Sequence, residues 1–211
     1  FGSDAREAAD FYVAAFGKNS TIIHSTVIRG TPSGDCPFVL FSLRGFEFMG
    51  ISGMSASMMN PSISFMLNFD PSVYAHARED LNALWAKLSE GGKPMMPLDT
   101  YPFSDRYGWI QDKYGVSWQL ILTKAEGEPR PFVIPSLMFT GDNTGKAEEA
   151  IDFYTSVFKN TKRGITAPYP SGAAPEKRAK IMFADFMLEG QWFAAMRGSR
   201  STLDRRGVTR H

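Results

Sequence analysis

The chain has a single cysteine, Cys36, which excludes an intramolecular disulfide. Its three histidines, His24, His76 and His211, are too few and too scattered to read as a histidine-built metal centre; each reads as an ordinary surface or capping residue. No apolar run reaches the length of about 18 residues that a membrane-spanning helix needs. Neither sign of charge dominates, since 23 Lys and Arg stand against 22 Asp and Glu for a formal charge of +1. So weak a field recruits neither nucleic acid nor an anionic membrane surface. The arginines that do cluster (Arg197, Arg200, Arg205, Arg206 and Arg210) lie in 197–211, which lacks apolar periodicity and reads as a solvated basic tail. With no targeting segment visible in the sequence, the expected location is cytoplasmic.

Core material is plentiful: 43% of the 211 residues are hydrophobic and 13% aromatic, enough for one large or two small domains. There is also a repeat. The run Ala5-Arg6-Glu7-Ala8-Ala9-Asp10-Phe11-Tyr12-Val13-Ala14-Ala15-Phe16-Gly17-Lys18 returns as Ala147-Glu148-Glu149-Ala150-Ile151-Asp152-Phe153-Tyr154-Thr155-Ser156-Val157-Phe158-Lys159-Asn160. Further on, Leu43-Arg44-Gly45-Phe46-Glu47-Phe48 corresponds to Leu188-Glu189-Gly190-Gln191-Trp192-Phe193. A whole supersecondary unit has been duplicated.

Periodicity fills in the rest. Residues 4–16 place Ala8, Phe11, Tyr12, Ala15 and Phe16 at helical spacing behind Ser3 or Asp4 as N-cap, and strand-like stretches follow at 21–29, 37–43 and 46–51. Residues 62–69 alternate strictly, with Ile63, Phe65, Leu67 and Phe69 on one face and Ser62, Ser64, Met66 and Asn68 on the other. A helix at 80–88 and strands at 94–96, 109–112 and 116–122 come next, and 134–140, 146–158, 163–169, 178–188 and 191–196 repeat the order. The chain thus reads as three β-α-β-β-β modules, the first short of its opening strand. The expected domains are 1–123, a pair of modules; 124–130, a Glu-, Gly- and Pro-containing linker; 131–196, the third module as half of a second domain; and 197–211, the tail.

The segment Gly108-Trp109-Ile110-Gln111-Asp112-Lys113-Tyr114-Gly115-Val116-Ser117-Trp118-Gln119, preceded by Leu88-Ser89-Glu90-Gly91-Gly92, together with the doubled helix, resembles the PhnB-like branch of the vicinal oxygen chelate superfamily (glyoxalase, bleomycin resistance and dioxygenase proteins). The resemblance runs from residue 1 to about residue 196. It implies an α+β fold in which β-α-β-β-β modules pair into a curved, cup-shaped mixed sheet with helices outside. The branch often carries the label 3-demethylubiquinone 3-methyltransferase. The strand-to-helix turn Gly141-Asp142-Asn143-Thr144-Gly145 is not the glycine-rich fingerprint of a Rossmann-type methyltransferase, so that activity is not expected.

The resemblance also says where a superfamily metal would sit: His, Gln or Glu on the first and last strands of paired modules. The matching positions here are Gln119, Met49 and Ala194 on last strands, with Ser62 and Ile134 (or Ser136, two residues on) on first strands. Such a set does not offset the dehydration of a divalent cation, so no metal and no cofactor are expected. What remains facing the cup is Glu47, Met49, Ser62, Ser64, Met66, Asn68, Ser117 and Gln119, a mixture of thioethers and small hydrogen-bonding groups suited to a small-molecule pocket. Two readings of this set stay open: a ligand pocket, or a cup filled by its own methionines. Glu47 is a general base, an anchor or an ordinary exposed strand residue. Trp109 and Trp118 read as core, with Trp118 facing the helices because its parity is opposite to that of Gln119. Cys36 has no histidine near it and reads as structural; Tyr107 stands where relatives often have a cysteine.

If modules one and two pair, module three is left over, either because the chain is truncated or frameshifted or because it pairs across a two-fold axis in a homodimer. The leading expectation is a small-molecule-binding protein. Its alternatives are a metal-dependent glyoxalase- or dioxygenase-type isomerase or lyase, with Gln119 and Glu47 as ligands, and a dimerisation module with a filled cup.

Overall fold

Tandem copies of one supersecondary unit must each bury an apolar helix face against their own strands, and the computed structural model of the chain has that plan. It describes residues 5–32, 34–53, 59–126, 128–169, 174 and 180–197. The elements are α1 (Ala5–Phe16), β1 (Ser20–Thr31), β2 (Gly34–Leu43), β3 (Phe46–Ile51), β4 (Ile63–Phe69), α2 (Ala77–Ser89), β5 (Lys93–Tyr101), β6 (Ser104–Gln111), β7 (Ser117–Leu122), β8 (Val133–Phe139), α3 (Ala147–Val157), β9 (Thr161–Pro168), β10 (Ile181–Leu188) and β11 (Gln191–Arg197). No helix among the described residues is long and apolar enough to cross a membrane. The N-cap expected at Ser3 or Asp4 and the tail from 198 onward lie outside the described residues.

Strands β1, β2 and β3 form an antiparallel sheet of their own. The remaining strands follow the hydrogen-bonded order β5-β6-β7-β4-β8-β11-β10-β9. In module three the opening strand β8 lies parallel to the closing strand β11, with Ser136 opposite Ala194, and β11, β10 and β9 follow antiparallel. The class is α+β with a mixed sheet. The chain divides into two compact units, Phe1–Asn60 with Leu67–Val133, and Pro61–Met66 with Ile134–His211. The opening half of β4 thus belongs to the unit that holds module three, where the Met138 N–H donates to the Ser62 carbonyl at 2.8 Å. Module three, left over when modules one and two pair, thus has a strand neighbour at its β8 edge. An alternating apolar strand carries no label for which neighbour its edge will meet.

Local chemistry explains the elements. The Ala5 N–H, one of the orphan donors of the first turn of α1, is satisfied by Ser52 Oγ at 2.7 Å. Gly17, at φ 70°, ends the same helix in the left-handed conformation. The repeated hairpins turn on Arg44-Gly45 and Glu189-Gly190, with φ of 49° and 90° and of 48° and 85°, the two positive values of a tight turn matched to strand twist. At Gly108 an added Cβ would stand 2.5 Å from the Trp85 ring, so the glycine lets α2 lay that indole flat on the sheet. Strands β5 and β6 extend well beyond the expected 94–96 and 109–112. Pro97 hides the extension of β5 from propensity, but β5 is an edge strand whose ladder is broken by register shifts, and such strands tolerate proline.

Each outer module carries the same aromatic ladder. Tyr12, Phe41 and Phe48 stack with centroids 6.1 and 5.4 Å apart, and Tyr154, Phe186 and Phe193 stack at 6.4 and 5.8 Å. The cores of both copies are built around these ladders, with Leu43 and Val39 in one and Leu188 and Ile151 in the other.

Candidate functional site

The β6–β7 hairpin sets Trp109 opposite Gln119 and Gln111 opposite Ser117, so alternation brings Tyr107, Trp109, Ser117 and Gln119 to one face. There the Tyr107 hydroxyl donates to Gln119 Oε1 at 2.7 Å, and Trp109 Nε1–H donates to Ser117 Oγ at 2.7 Å. Gln119 is wholly buried and Ser117 nearly so. The rings of Phe103 and Tyr101 stand edge-on to Tyr107 at 5.0 and 5.6 Å. Burial, with the neighbouring Tyr101 as a second cause, pushes the Tyr107 phenol far above its ordinary value, so it stays protonated and acts as a donor. On this face Tyr107 is paired with Gln119 and Trp109 with Ser117, all four buried, and none of these four described residues is a carboxylate or an imidazole.

The opposite face of the same hairpin meets α1. Trp118 lies 5.4 Å from Tyr12 and 5.3 Å from Phe16, on the helix side as its parity requires. The carboxylate of Asp112 is the centre of this face. Its Oδ2 accepts from Tyr12 OH and Trp118 Nε1 at 2.7 Å each, and its Oδ1 accepts from the Tyr114 and Val116 N–H groups at 2.9 and 3.0 Å. Burial still raises the Asp112 carboxyl above its ordinary value, with the four donors pulling the other way. Asp112 was legible only as part of the hairpin text. An Asp two residues before a turn glycine's neighbour is a common turn device, and nothing in its spacing announces that a tryptophan and a tyrosine will close on it.

The expected pocket residues fall into three places. Ser117 and Gln119 share the face just described, and Asn68, nearby in the same unit, donates from Nδ2 to the Pro131 carbonyl at 2.8 Å. Ser62, Ser64 and Met66 belong to the other unit, where Ser64 and Met66 are buried and Ser62 half-buried. Glu47 and Met49 lie on β3 in the separate three-stranded sheet, both exposed, Met49 at 66%. Of the remaining candidates, the Cys36 thiol donates to the Ser52 carbonyl at 2.7 Å. His24 is exposed on β1 with its ring 6.5 Å from that of Phe38, and His76 precedes α2 without a side-chain cap.

The positions where a superfamily metal would be held do not fit one. Gln119 Oε1 is engaged by Tyr107, Met49 is an exposed thioether, and Ala194 offers a methyl group. Ser136, fully buried, has a hydroxyl without a hydrogen-bond partner among the described residues, but a neutral hydroxyl is a poor ligand by itself. No group of three or more His, Cys, Asp or Glu converges among the described residues.

The model of the family described as 3-demethylubiquinone-9 3-methyltransferase matches residues 1–121 and 131–207. Among solved structures, a PhnB protein from Bacillus cereus is 31% identical, with 58% of this chain and 94% of that chain covered and a TM-score of 0.49. Protein PA1353 from Pseudomonas aeruginosa is 21% identical over 59% of this chain and 92% of its own, with a TM-score of 0.47. Glyoxalase I from Zea mays is 15% identical over 92% of this chain and 63% of its own, at a TM-score of 0.57, a likeness of fold. No curated protein matches the chain.

Proposed function

We propose, for a chain that belongs to the 3-demethylubiquinone-9 3-methyltransferase family, the PhnB-like branch of the vicinal oxygen chelate superfamily, that it binds a small organic molecule against its mixed sheet. The observation that carries the reading is the buried pair of hydrogen bonds on one face of β6 and β7, Tyr107 to Gln119 and Trp109 to Ser117. Polar side chains fixed by one another and flanked by aromatic rings are how a pocket orients a ligand. Asn68 on β4, in the same unit, extends the proposed lining. Binding proceeds without the superfamily metal, because serine, methionine, alanine and an engaged amide are a poor donor set for it. Methyl transfer is not part of the proposal, since an α+β mixed sheet lacks the parallel-strand crevice and glycine-rich turn that hold a nucleoside methyl donor.

The test is native mass spectrometry and elemental analysis of protein purified without chelator. An organic mass that leaves on denaturation, with no stoichiometric metal, is the expected result. Near-stoichiometric manganese, nickel, zinc or magnesium, with a rise of several degrees in Tm on adding that ion, would overturn the proposal in favour of a glyoxalase-type enzyme.

A further inference from the structure

Alternation divides the sheet of module three into two faces. Ala184, Phe186, Leu188 and Ala195, with Leu137 and Phe193 against them, form the core cluster that holds Ala147 and Ile151 of α3. The residues between them point the other way, and there the ladder sets Asp185 opposite Ala194 and Ala194 opposite Ser136. On the far side of β8, the Met138 N–H bond to the Ser62 carbonyl and the Asn68 N–H bond to the Phe132 carbonyl run antiparallel and put Ser64 opposite Ser136. Asp185, Ala194, Ser136 and Ser64 thus form one row across four strands, and none is more than 4% exposed. A polar group at that depth is costly unless it is hydrogen-bonded. Yet the Ser136 hydroxyl, wholly buried, has no partner among the described residues.

The middle of the row is a hollow. Where modules one and two carry Met49 and Gln119, module three carries only the methyl of Ala194. Adjacent strands lie about 4.8 Å apart, so the backbones of Asp185 and Ser136 stand about 10 Å apart on either side of that methyl, and two such short side chains do not meet across it. The Asp185 carboxylate is held from its flank. The β9 ladder is irregular there, and the Ile165 N–H donates to Asp185 Oδ1 at 2.5 Å. One step along the strands, the same face carries Trp192 and Met138, both buried, and the half-buried Met187.

We infer that this hollow binds the amino group of a small alkylamine, its ammonium donating to the Asp185 carboxylate and the Ser136 hydroxyl and its chain lying against Trp192 and the methionines. A carboxylate only accepts, so the group that reaches it must donate; one that also donates to the hydroxyl needs a second hydrogen, and an ammonium has three. Its charge strengthens both bonds. One carboxylate and one neutral hydroxyl are too few ligands for a divalent metal. Among the described residues of this unit, the ladder puts one basic side chain on the same face, Lys162, opposite Met187; it is exposed, and its Nζ lies 5.8 Å from the centre of the Trp192 ring. The site belongs to the second compact unit and does not rest on the pocket proposed at β6 and β7.

The test titrates n-butylammonium chloride into the full chain, with n-butanol as the uncharged control, while NMR follows the Ala194 methyl signal. A saturable shift is expected, with n-butanol about 10-fold weaker or more. Asp185→Asn, which keeps an oxygen for the Ile165 N–H, is expected to weaken n-butylammonium by about 10-fold or more. Ser136→Ala is expected to weaken it by roughly 3- to 10-fold and to leave Tm unchanged or raised, since it removes a buried hydroxyl that nothing satisfies. Lys162→Met, at an exposed charge, is expected to hold Kd within about 2-fold. No saturable shift, n-butanol binding as tightly, or a Ser136→Ala variant that binds as well as wild type would each overturn the inference. So would a fall in Tm in Ser136→Ala, which would mean that an internal water fills the hollow. Binding seen only in Lys162→Met would overturn it as well, by making that lysine the partner of Asp185.

Discussion

One helical sentence, written twice, meets two environments, and the difference shows what a repeat does and does not encode. Within each module the copy is faithful: Tyr12, Phe41 and Phe48 stack as Tyr154, Phe186 and Phe193 do. The face that looks away from the module is another matter. Around α1 it is sealed by Trp118 and Asp112; around α3, among the described residues, Phe153, Val157 and Phe158 are exposed. The inner face is therefore specified by the module's own text, and the outer face by whatever neighbour the topology supplies.

Removing the neighbour's contribution is the strongest way to break that contrast. Trp118, almost fully buried, touches Tyr12, Phe16 and Phe48, and its place three residues after the hairpin glycine is taken in module three by Phe193. Trp118→Ala is expected to cost about 3–5 kcal/mol, as large-to-small changes at closed aromatic sites do. Phe193→Ala, at a half-buried position, is expected to cost roughly half as much, since its shell can collapse. Urea titration of both variants checks the ranking. Equal losses would mean that the outer seal of α1 adds little beyond the module's own ladder.

Asp112 sharpens the comparison because its counterpart near α3 behaves in the opposite way. Burial raises the Asp112 carboxyl, so the folded state binds its proton more tightly than the unfolded chain does. The stability this contributes is fully present below the ordinary carboxylate value and is lost as pH rises through the raised one. Asp112→Asn removes that dependence and sets an amide NH2 against one pair of the four donors, at a cost of about 1–3 kcal/mol. The gap between wild type and variant is therefore expected to narrow as pH rises through the window just above the ordinary carboxylate value. Chemical denaturation across the acid-to-neutral range measures it, and a gap that widens with pH would show the carboxylate to be held ionised by its donors.

The sequence already carries much of this architecture and part of the site. The doubled helix, the Arg44-Gly45 and Glu189-Gly190 turns, and the opposed faces of Trp118 and Gln119 all follow from period and parity, which local sterics enforce. The extension of β5 beyond 94–96 was hidden because the missing N–H of Pro97 reads as a break, and only the edge position of β5 makes it harmless. The partner of β4 was hidden because strand pairing is decided by competition among edges. Asp112 was hidden for a third reason: its value comes from Tyr12, a hundred positions away in the chain. The partnership of Tyr107 with Gln119 was reachable, since both fall on one face of one hairpin, though nothing in a tyrosine's context says that it will be sealed from water.

The smallest expected effect lies at Glu189, which ties the end of α3 to its sheet as Asp112 ties the middle of α1. Its Oε1 accepts from the Lys159 N–H at 2.8 Å and the Asn160 N–H at 3.3 Å, and its Oε2 accepts from Asn160 Nδ2 at 3.1 Å. These donors, the Lys159 N–H foremost, hold the fully exposed carboxyl below its ordinary value. The sign is thus the reverse of that at Asp112: the contribution is present above the ordinary value and is lost as pH falls through the lowered one. Glu189→Gln is expected to flatten the acid limb of the stability profile slightly and to leave neutral pH almost unchanged, because the amide oxygen still accepts one backbone N–H. Added salt should shrink the effect further, as it does for any exposed charge and far less for a buried one. If salt leaves the Glu189→Gln difference intact while erasing that of Asp112→Asn, the assignment of one carboxylate as exposed and the other as buried is wrong, and with it the account of why the two copies of the helix differ.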